Sequence, residues 1–303
     1  MSWFETFDTA IAEALPKLEV LRQEPMAGHT TFKVGGPARR MARPSSLEEM
    51  AALLNLAEKE KWPVLLLGNG SNLLVSDQGV DALVIHTGGM DAVELLEGGR
   101  VRAEAGLSLN KLAVFAQKNG LAGLEFAHGI PGSLGGGIRM NAGAYGGEMC
   151  QVVESVTAWL PGAGVVEIPL EEMELSYRHS RFTRERGVVL AATFRLTADA
   201  PEAIRARMDD LISRRKEKQP LEYPSAGSTF KRPAGHFAGA LIEQCGLKGC
   251  TVGGAQVSEK HAGFVINIGG ATAYDILALM KHVQSTVLEQ TGVELEPEVE
   301  IVS

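Results

Sequence analysis

The stretch GIPGSLGGGIRMNAGAYGGE, Gly129 to Glu148, carries the strongest fold signal in this chain. Eight of the nineteen positions from Gly129 to Gly147 are glycine, and polar residues such as Ser133 and Asn141 stand among them. A segment with so few side chains lets a large planar ligand and its diphosphate lie against the backbone. A glycine-rich bend between two domains is the alternative interpretation.

A second glycine-containing stretch, GNGSN at Gly68–Asn72, lies upstream. Its glycines would let successive amides point at one phosphate, with Ser71 and Asn72 as further donors, whereas a tight structural turn is the alternative. A Rossmann fingerprint is excluded, because Leu73 stands where that motif needs glycine. Two such stretches favour a dinucleotide site, and the missing Rossmann pattern favours flavin over nicotinamide.

The segments around these stretches predict a mixed α and β chain. Apolar runs flank GNGSN, so we predict that it joins two short strands, with a strand-to-helix passage as the alternative. A last strand is predicted for VELEPEVEIV at residues 293–302. Periodicity and capping residues predict helices in five segments: the N-terminal 18 residues, the segment after Ser46, the segment near 108–119, PEAIRARMDDLISRRKEKQP and AYDILALMKHVQSTVLEQTG.

Length and composition limit the class of protein. A chain of 303 residues predicts two or three domains, and a net charge of −8 argues against a nucleic-acid partner. The three cysteines form no CxxC pair and the histidines have no ligand spacing, so we predict no metal site. No apolar run approaches the ~18 residues of a membrane span, and the first residues are acidic where a signal peptide is basic. These features predict a cytoplasmic enzyme with no membrane partner.

Seven motifs resemble, in order, the UDP-N-acetylenolpyruvoylglucosamine reductase family. The resemblance covers nearly the whole chain and is carried by TTFKVGGPA (30–38), GNGSNLLV (68–75), the segment 129–148, YRHSRF (177–182), SAGSTFKRP (225–233), AGALIEQCGLKG (238–249) and EPEVEIV (296–302). Because the chain has no inserted element between Arg178 and Ser228, it resembles the shorter, type II branch of the family.

The resemblance implies an α+β fold with a two-part FAD-binding domain of the vanillyl-alcohol-oxidase (PCMH) type and a C-terminal α+β substrate-binding domain. We predict a docking helix and lead-in at residues 1–29, the FAD-binding domain at 30–197 with its subdomains divided near residue 90, and the substrate-binding domain at 198–303. A composition shift at the charged helix beginning near Pro201 supports the last boundary.

The activity that the resemblance implies is reduction of UDP-N-acetylglucosamine enolpyruvate to UDP-N-acetylmuramate, with bound FAD and with NADPH as reductant. Such an enzyme serves peptidoglycan precursor synthesis, and thereby the cell wall, cell shape and cell division. We expect a monomer or weak dimer. The alternatives are an alcohol-oxidase-type flavoenzyme of the same architecture and a non-catalytic nucleotide-binding regulator.

Three residues are implied to be catalytic. Hydride addition to the enolpyruvyl group puts charge on its carboxylate, which suits the planar guanidinium of Arg178, although a lone arginine is more often in a surface salt bridge. Glu298 would donate to the same carboxylate, which requires a raised pKa; Glu296 competes for this role, and a solvated strand face is the alternative for both. Ser228 matches the family's proton donor, whereas a serine in such a turn is otherwise structural.

Further residues are predicted to bind the substrate, NADPH or FAD. Tyr177, Lys218, Lys231 and Arg232 are candidates for binding the anionic substrate or NADPH, although Lys218 also fits a solvated basic helix face. The predicted FAD contacts come from both glycine-containing stretches: Gly68, Asn69, Gly70, Ser71, Asn72, Gly129, Pro131, Gly132, Ser133, Gly136, Asn141, Gly143 and Ala144.

Overall fold

Contacts divide the chain into two units that are interleaved along the sequence. In the computed structural model, which describes residues 2–303, unit 1 comprises residues 2–21, 40–69 and 82–214, and unit 2 comprises residues 22–39, 70–81 and 215–303. The two units are defined by contacts and are interleaved along the sequence, so their bounds differ from those of the three continuous segments predicted above. The boundaries of those segments stay a prediction.

Seven α-helices and eighteen strands, numbered here in chain order, make up the described chain. The helices are α1 (Trp3–Ala14), α2 (Leu47–Glu60), α3 (Leu109–Lys118), α4 (Leu134–Arg139), α5 (Pro201–Lys218), α6 (Ala238–Gln244) and α7 (Ala273–Thr291). The strands are β1 (Glu19–Pro25), β2 (Pro37–Arg43), β3 (Val64–Leu67), β4 (Leu73–Val75), β5 (Val80–His86), β6 (Val93–Leu96), β7 (Arg100–Glu104), β8 (Leu121–Ala122), β9 (Gly143–Ala144), β10 (Gly147–Glu148), β11 (Val153–Leu160), β12 (Gly164–Pro169), β13 (Val188–Arg195), β14 (Thr197–Ala198), β15 (Thr251–Val252), β16 (Ala255–Val257), β17 (Val265–Asn267) and β18 (Glu300–Val302). Within residues 2–303, no helix combines the length and apolar character needed to cross a membrane.

The long helices begin and end where local chemistry predicts. Ser46 caps α2 by accepting from the Glu49 amide, and α2 ends at Lys61 in the left-handed region. Thr272 and Asp275 form a reciprocal capping box at the start of α7, and Gly292 ends α7 with φ +72°. All five predicted helices are therefore confirmed.

Unit 1 contains most residues of the two larger sheets. One has the strand order β1-β2-β5-β3, in which β3 and β5 run parallel with Val64 opposite Leu83. The other is an antiparallel sheet of order β12-β11-β13-β7-β6. GNGSN joins β3 to β4, so the strand-to-strand prediction is confirmed and the strand-to-helix alternative is wrong.

Two separate apolar cores fill unit 1. The first surrounds α1 and α2 and includes the buried rings of Phe7 and Trp62. The second lies at the antiparallel sheet together with α3 and α4, and includes Phe126 and Phe194. The α+β fold class predicted from the sequence is confirmed.

Unit 2 is built on α6, α7 and the antiparallel sheet β15-β16-β17. Strand β18 pairs parallel with β4, with Glu300 opposite Leu73. The predicted last strand is wrong for residues 293–299, because only Glu300–Val302 is a strand. Pro297 has no amide hydrogen for a ladder, and the chain there makes an isolated bridge with Phe230 instead.

Candidate functional site

The two glycine-containing stretches meet in unit 1. The Asn69 side-chain amide donates to the carbonyl of Pro131 over 3.0 Å. A Cβ at Gly68 would lie 2.1 Å from Ser133 Oγ, so only glycine allows this approach. The structure therefore brings together two predicted FAD-binding loops that are far apart in sequence.

The backbone amides in the first turn of helix α4 donate hydrogen bonds to other groups of the protein. Leu134 and Gly135 donate to the carbonyls of Leu107 and Ala105, each over 2.8 Å. Gly136 donates to the side chain of Ser133, which is 2% exposed. These three amides are therefore not left for a phosphate, because each already has a protein acceptor.

The three consecutive glycines of α4 serve different purposes. A Cβ at Gly135 would lie 3.1 Å from Ala105 Cβ, and one at Gly137 would lie 3.1 Å from the Leu109 side chain. Gly136 is exposed, and its Cβ would meet only Ser133 Oγ at 3.5 Å. Gly135 and Gly137 thus let α4 pack closely, whereas Gly136 presents bare backbone outward.

The exposed backbone of this region suits a large flat ligand. Asn69, Pro131 and Gly136 are exposed, and the Asn69–Pro131 hydrogen bond joins the two loops that carry them. Gly129 adopts φ +89°, a conformation that glycine reaches without strain. These residues could hold the isoalloxazine or diphosphate of FAD, and the individual FAD contacts stay a prediction.

The other half of GNGSN belongs to unit 2 and is held by the chain itself. Gly70 has φ +60°, and a Cβ there would lie 2.0 Å from the carbonyl oxygen of His29. The Asn72 amide donates to the Glu298 carbonyl over 3.0 Å. That amide, expected from sequence as a phosphate donor, already has a carbonyl acceptor in unit 2.

Asn141 and the hairpin after it are also held internally. Its buried side chain donates to Glu148 Oε2 over 3.0 Å and to the Ser176 carbonyl over 3.1 Å, and accepts from the Cys150 amide over 2.9 Å. Gly143 and Ala144 form β9, which pairs with β10. Both amide hydrogens of Asn141 therefore have protein acceptors. These hydrogen bonds hold the protein together and do not involve the predicted FAD contact.

Arg178 lies on a tight turn of unit 1. The backbone groups of Ser176 and His179 exchange two hydrogen bonds of 3.1 Å, with Tyr177 and Arg178 between them. The Arg178 guanidinium carbon lies 5.2 Å from the centre of the exposed Tyr177 ring. The turn presents a half-buried cation and an aromatic ring together, which suits an anionic ligand that also has an apolar part.

Ser228 and Glu298 come together in unit 2. Glu298 donates its amide to the carbonyl of Thr229 over 2.9 Å, and Thr229 donates its own amide to Gly263 over 2.8 Å. Thr229 is fully buried, whereas the neighbouring Ser228 is exposed. The exposed Ser228 and the half-buried Glu298 thus lie on chain segments that main-chain hydrogen bonds join.

The two glutamates near the C-terminus have different surroundings. Glu296 is exposed and its carboxylate pairs with Lys231 Nζ, while Glu298 is half-buried. Because Lys231 engages the Glu296 carboxylate at the surface, these surroundings favour Glu298 over Glu296 as the hydrogen-bond donor to the substrate. The catalytic role of Glu298 stays a prediction.

The other predicted substrate-binding residues of unit 2 are solvent-accessible. The Arg232 guanidinium carbon lies 4.7 Å from the centre of the Phe237 ring, which is 63% exposed. Lys218 is exposed at the end of α5. Their roles toward substrate or NADPH stay predictions.

Two titratable side chains near these segments have shifted pKa values. Burial, as the largest cause, lowers the pKa of His261 below its ordinary value; its Nδ1 accepts from the Gly263 amide over 3.1 Å. Burial likewise raises the pKa of the Cys150 thiol, which lies 3.6 Å from Glu148 Oε2. Neutral His261 is thus an acceptor for Gly263, the residue whose carbonyl holds Thr229.

Sequence reasoning missed the residues that support the predicted ones. Ser180 is fully buried and donates to the Arg139 carbonyl over 2.7 Å, and Thr229 anchors the segment beside Ser228. The placement of Ser176 and Ser180 on either side of Tyr177 and Arg178 was the available signal. Serine favours local hydrogen bonds to backbone near turns.

Two protein families match separate parts of the chain. Residues 38–168 match the family described as FAD binding domain. Residues 219–302 match the family described as UDP-N-acetylenolpyruvoylglucosamine reductase, C-terminal domain. Together with the exposed glycine-rich loops, these matches define the protein as an FAD-binding oxidoreductase.

Three proteins named as reductases are similar to this chain over 95–96% of its length. The chain is 51% identical over 288 residues to the UDP-N-acetylenolpyruvoylglucosamine reductase of Clostridium novyi, covering 95% of this chain and 94% of that protein. The corresponding protein of Caldanaerobacter subterraneus is 49% identical over 292 residues, covering 96% of each. A crystal structure of the reductase from Thermus caldophilus matches with a TM-score of 0.81 and 36% identity, covering 95% of this chain and 99% of that one. The chain belongs to the UDP-N-acetylenolpyruvoylglucosamine reductase family, as the motifs predicted.

Proposed function

We propose that this enzyme reduces the enolpyruvyl group of UDP-N-acetylglucosamine enolpyruvate to the lactyl ether of UDP-N-acetylmuramate, with NADPH as the reductant. The proposal draws on the family membership and on the names of the relatives. That reaction is a step of peptidoglycan precursor synthesis. Family membership favours it over the alcohol-oxidase and regulator alternatives. A cytoplasmic location and a monomeric or weakly dimeric state remain predictions.

The observation that carries the proposal is the placement of Ser228 beside Glu298 through the Thr229–Glu298 hydrogen bond of 2.9 Å. Reduction of an enolpyruvyl ether needs a proton for one carbon and a hydrogen bond or charge for the carboxylate. The side chains of the exposed Ser228 and the half-buried Glu298 would supply these two functions. A hydrolase would instead need a base beside the serine, and no hydrogen bond joins Ser228 to a histidine within residues 2–303.

FAD, when bound, supplies the hydride. The proposed holders of FAD are the exposed backbone of Asn69, Pro131 and Gly136 and the neighbouring glycines. The chain's own side chains do the rest. Arg178 would bind the substrate carboxylate through two parallel hydrogen bonds and stabilise its developing negative charge.

Ser228 would donate its hydroxyl proton to the carbon next to the carboxylate, and Glu298 would donate a hydrogen bond to a carboxylate oxygen. Such donation requires Glu298 to hold a proton at working pH. Its neighbour Glu296 is paired with Lys231 instead.

The test separates the two halves of the reaction. Ser228→Ala should bind FAD and be bleached by NADPH at the wild-type rate, because that half does not involve the enolpyruvyl proton. Reoxidation by the enolpyruvyl substrate should slow by ~10²–10⁴-fold, the contribution of a positioned general acid. Stopped-flow absorbance of the flavin follows both halves.

Ser228→Cys is the matched variant, because a thiol also donates a proton and should restore part of the rate. Fast reoxidation in Ser228→Ala would assign the proton to another group. Wild-type protein that binds no FAD, or that is reduced but not reoxidised by the enolpyruvyl substrate, would refute the proposed function.

A further inference from the structure

The turn that carries Arg178 has an unusual backbone. Arg178 adopts φ +53°, the left-handed region that residues with a Cβ rarely occupy. Such conformations persist where the surrounding structure enforces them, and they concentrate at functional sites.

Two side-chain hydrogen bonds hold the turn on opposite sides of Arg178. Two residues before it, the Ser176 carbonyl accepts from the Asn141 side chain over 3.1 Å. Two residues after it, Ser180 Oγ donates to the Arg139 carbonyl over 2.7 Å. Both bonds tie the turn to residues 139–141 of the glycine-rich segment.

Neither side chain is free to reorient. Asn141 is 2% exposed and Ser180 is fully buried. The Asn141 amide has a fixed sense, because its oxygen accepts from the Cys150 amide while its nitrogen donates to Glu148 and to Ser176. A rotated amide would lose all three bonds, so the donor stays aimed at the Ser176 carbonyl.

We infer that Asn141 and Ser180 are positioning residues for Arg178, and that they hold its turn at the geometry in which the guanidinium binds a carboxylate. The inference rests on the proposed function, because it takes the enolpyruvyl carboxylate as the partner of Arg178. It gives Asn141 a role different from the FAD contact expected from sequence. A purely structural role, closing the hairpin before Cys150, is the competing explanation.

The first variant is Asn141→Gly. Asn141 has φ +42°, so glycine keeps the backbone conformation while removing the side-chain amide. Reduction by NADPH should stay within about twofold of wild type, and reoxidation by the enolpyruvyl substrate should slow by ~10²-fold, the cost of a misplacement of about 1 Å. The increase in melting temperature caused by the substrate should shrink in the oxidised protein, which is a readout independent of turnover.

The matched control is Thr6→Ala in α1. Thr6 Oγ1 donates to the Trp3 carbonyl over 2.8 Å and accepts from Trp62 Nε1 over 3.0 Å, so the control loses comparable bonds elsewhere in unit 1. Its two half-reactions should both remain at the wild-type rate. Ser180→Ala is the second positioning variant and decides the matter if Asn141→Gly yields no folded protein.

A double-mutant cycle distinguishes positioning from general support. In an Arg178→Ala background, Asn141→Gly should slow reoxidation by no more than about twofold further, because the group it positions is already gone. Full additivity, or an Asn141→Gly enzyme that behaves like Thr6→Ala, would overturn the inference while leaving the proposed function intact. A wild-type enzyme that the enolpyruvyl substrate does not reoxidise would overturn both.

Discussion

The Arg178 turn of unit 1 and the Ser228 turn of unit 2 position their functional side chains by different means. In unit 1 the functional residue itself adopts a positive φ of +53°, and buried side chains hold the turn. In unit 2 glycine takes that conformation, since Gly227 has φ +74°. Two main-chain hydrogen bonds of Thr229 hold the segment, together with its buried hydroxyl, which accepts from the Val265 amide over 3.0 Å. One turn therefore depends on specific neighbouring side chains, and the other depends mostly on backbone.

The difference has a consequence for mutation. A turn held by side chains loses its geometry when a neighbour that never touches the ligand is replaced. A turn held by backbone groups tolerates most replacements except that of the reacting group. The Arg178 turn should thus be sensitive to replacement of neighbouring residues, and the Ser228 turn sensitive mainly at Ser228, Glu298 and the buried Thr229.

After Ser228→Ala, the largest effect is expected for replacements of Arg178. Arg178→Lys keeps the charge but loses the bidentate geometry, and Arg178→Gly loses both, so turnover of the enolpyruvyl substrate should fall by ~10²–10³-fold. Flavin reduction by NADPH should be nearly normal in both variants. Glycine relieves the positive φ, so the melting temperature of Arg178→Gly should not fall below that of Arg178→Lys.

A marked loss of stability in Arg178→Gly alone would mean that the arginine side chain, rather than Asn141 and Ser180, holds the turn. Wild-type turnover in Arg178→Lys would favour the alternative interpretation, in which Arg178 forms a surface salt bridge. Steady-state kinetics and thermal unfolding by circular dichroism provide the two measurements.

The next effect concerns the two glutamates of unit 2. Glu298→Ala should slow reoxidation by ~10²-fold, as expected for loss of one donor to a developing charge. Glu296→Ala removes only an exposed pair with Lys231 and should leave the rate within about twofold. The reverse ranking in single-turnover experiments would shift the catalytic role to Glu296.

The glycines provide a third contrast, in stability. Gly70→Val places Cβ against the His29 carbonyl at a positive φ, so we expect a loss of at least ~2 kcal/mol in the free energy of unfolding. The obstacle that the new side chain meets first is therefore the protein's own backbone.

Gly136→Ala is the matched replacement at an open position. It should leave the apoprotein within ~1 kcal/mol of wild type, because alanine favours a helix and only Ser133 Oγ is near. FAD at a hundredfold excess over Kd should stabilise the wild-type apoprotein by ~2.7 kcal/mol, and this gain should shrink in Gly136→Ala. An undiminished gain would place FAD away from Gly136.

The smallest expected effect is a pH dependence in unit 2. Burial lowers the pKa of His261 in the folded protein, while nearby Lys248 lowers it further and Glu243 opposes the shift. The unfolded chain binds the proton more readily, so the stability present above the ordinary histidine pKa of about 6.5 is lost as the pH falls below it. Protonated Nδ1 also could no longer accept from Gly263.

Urea unfolding at pH 7.5 and pH 5.5 measures this contribution. His261→Gln should reduce the loss of stability on acidification, whereas His282→Gln, at an exposed position of α7, should not. Equal acid sensitivity in wild type and His261→Gln would remove the link between His261 and the Thr229 segment.

Much of this protein was predictable from sequence because the relevant signals are local. Capping residues such as Ser46 and Thr272 fix where helices begin, and the apolar runs beside GNGSN fix two strands. The order of the seven motifs was enough to give the family, which the comparisons confirm. Pro297 lies in the segment predicted as the last strand, but this part of the chain forms a bridge with Phe230, which is distant in sequence.

Only the tertiary structure decided what the polar side chains bind. Asn72 and Asn141 are typical phosphate donors in a glycine-rich loop, yet their amides donate to the carbonyls of Glu298 and Ser176. Which acceptor an amide finds depends on the segment that folds beside it, and buried donors must find one. The same holds for the segments that carry Ser228 and Glu298, which main-chain hydrogen bonds such as that from Glu298 to Thr229 join and which no local pattern places side by side.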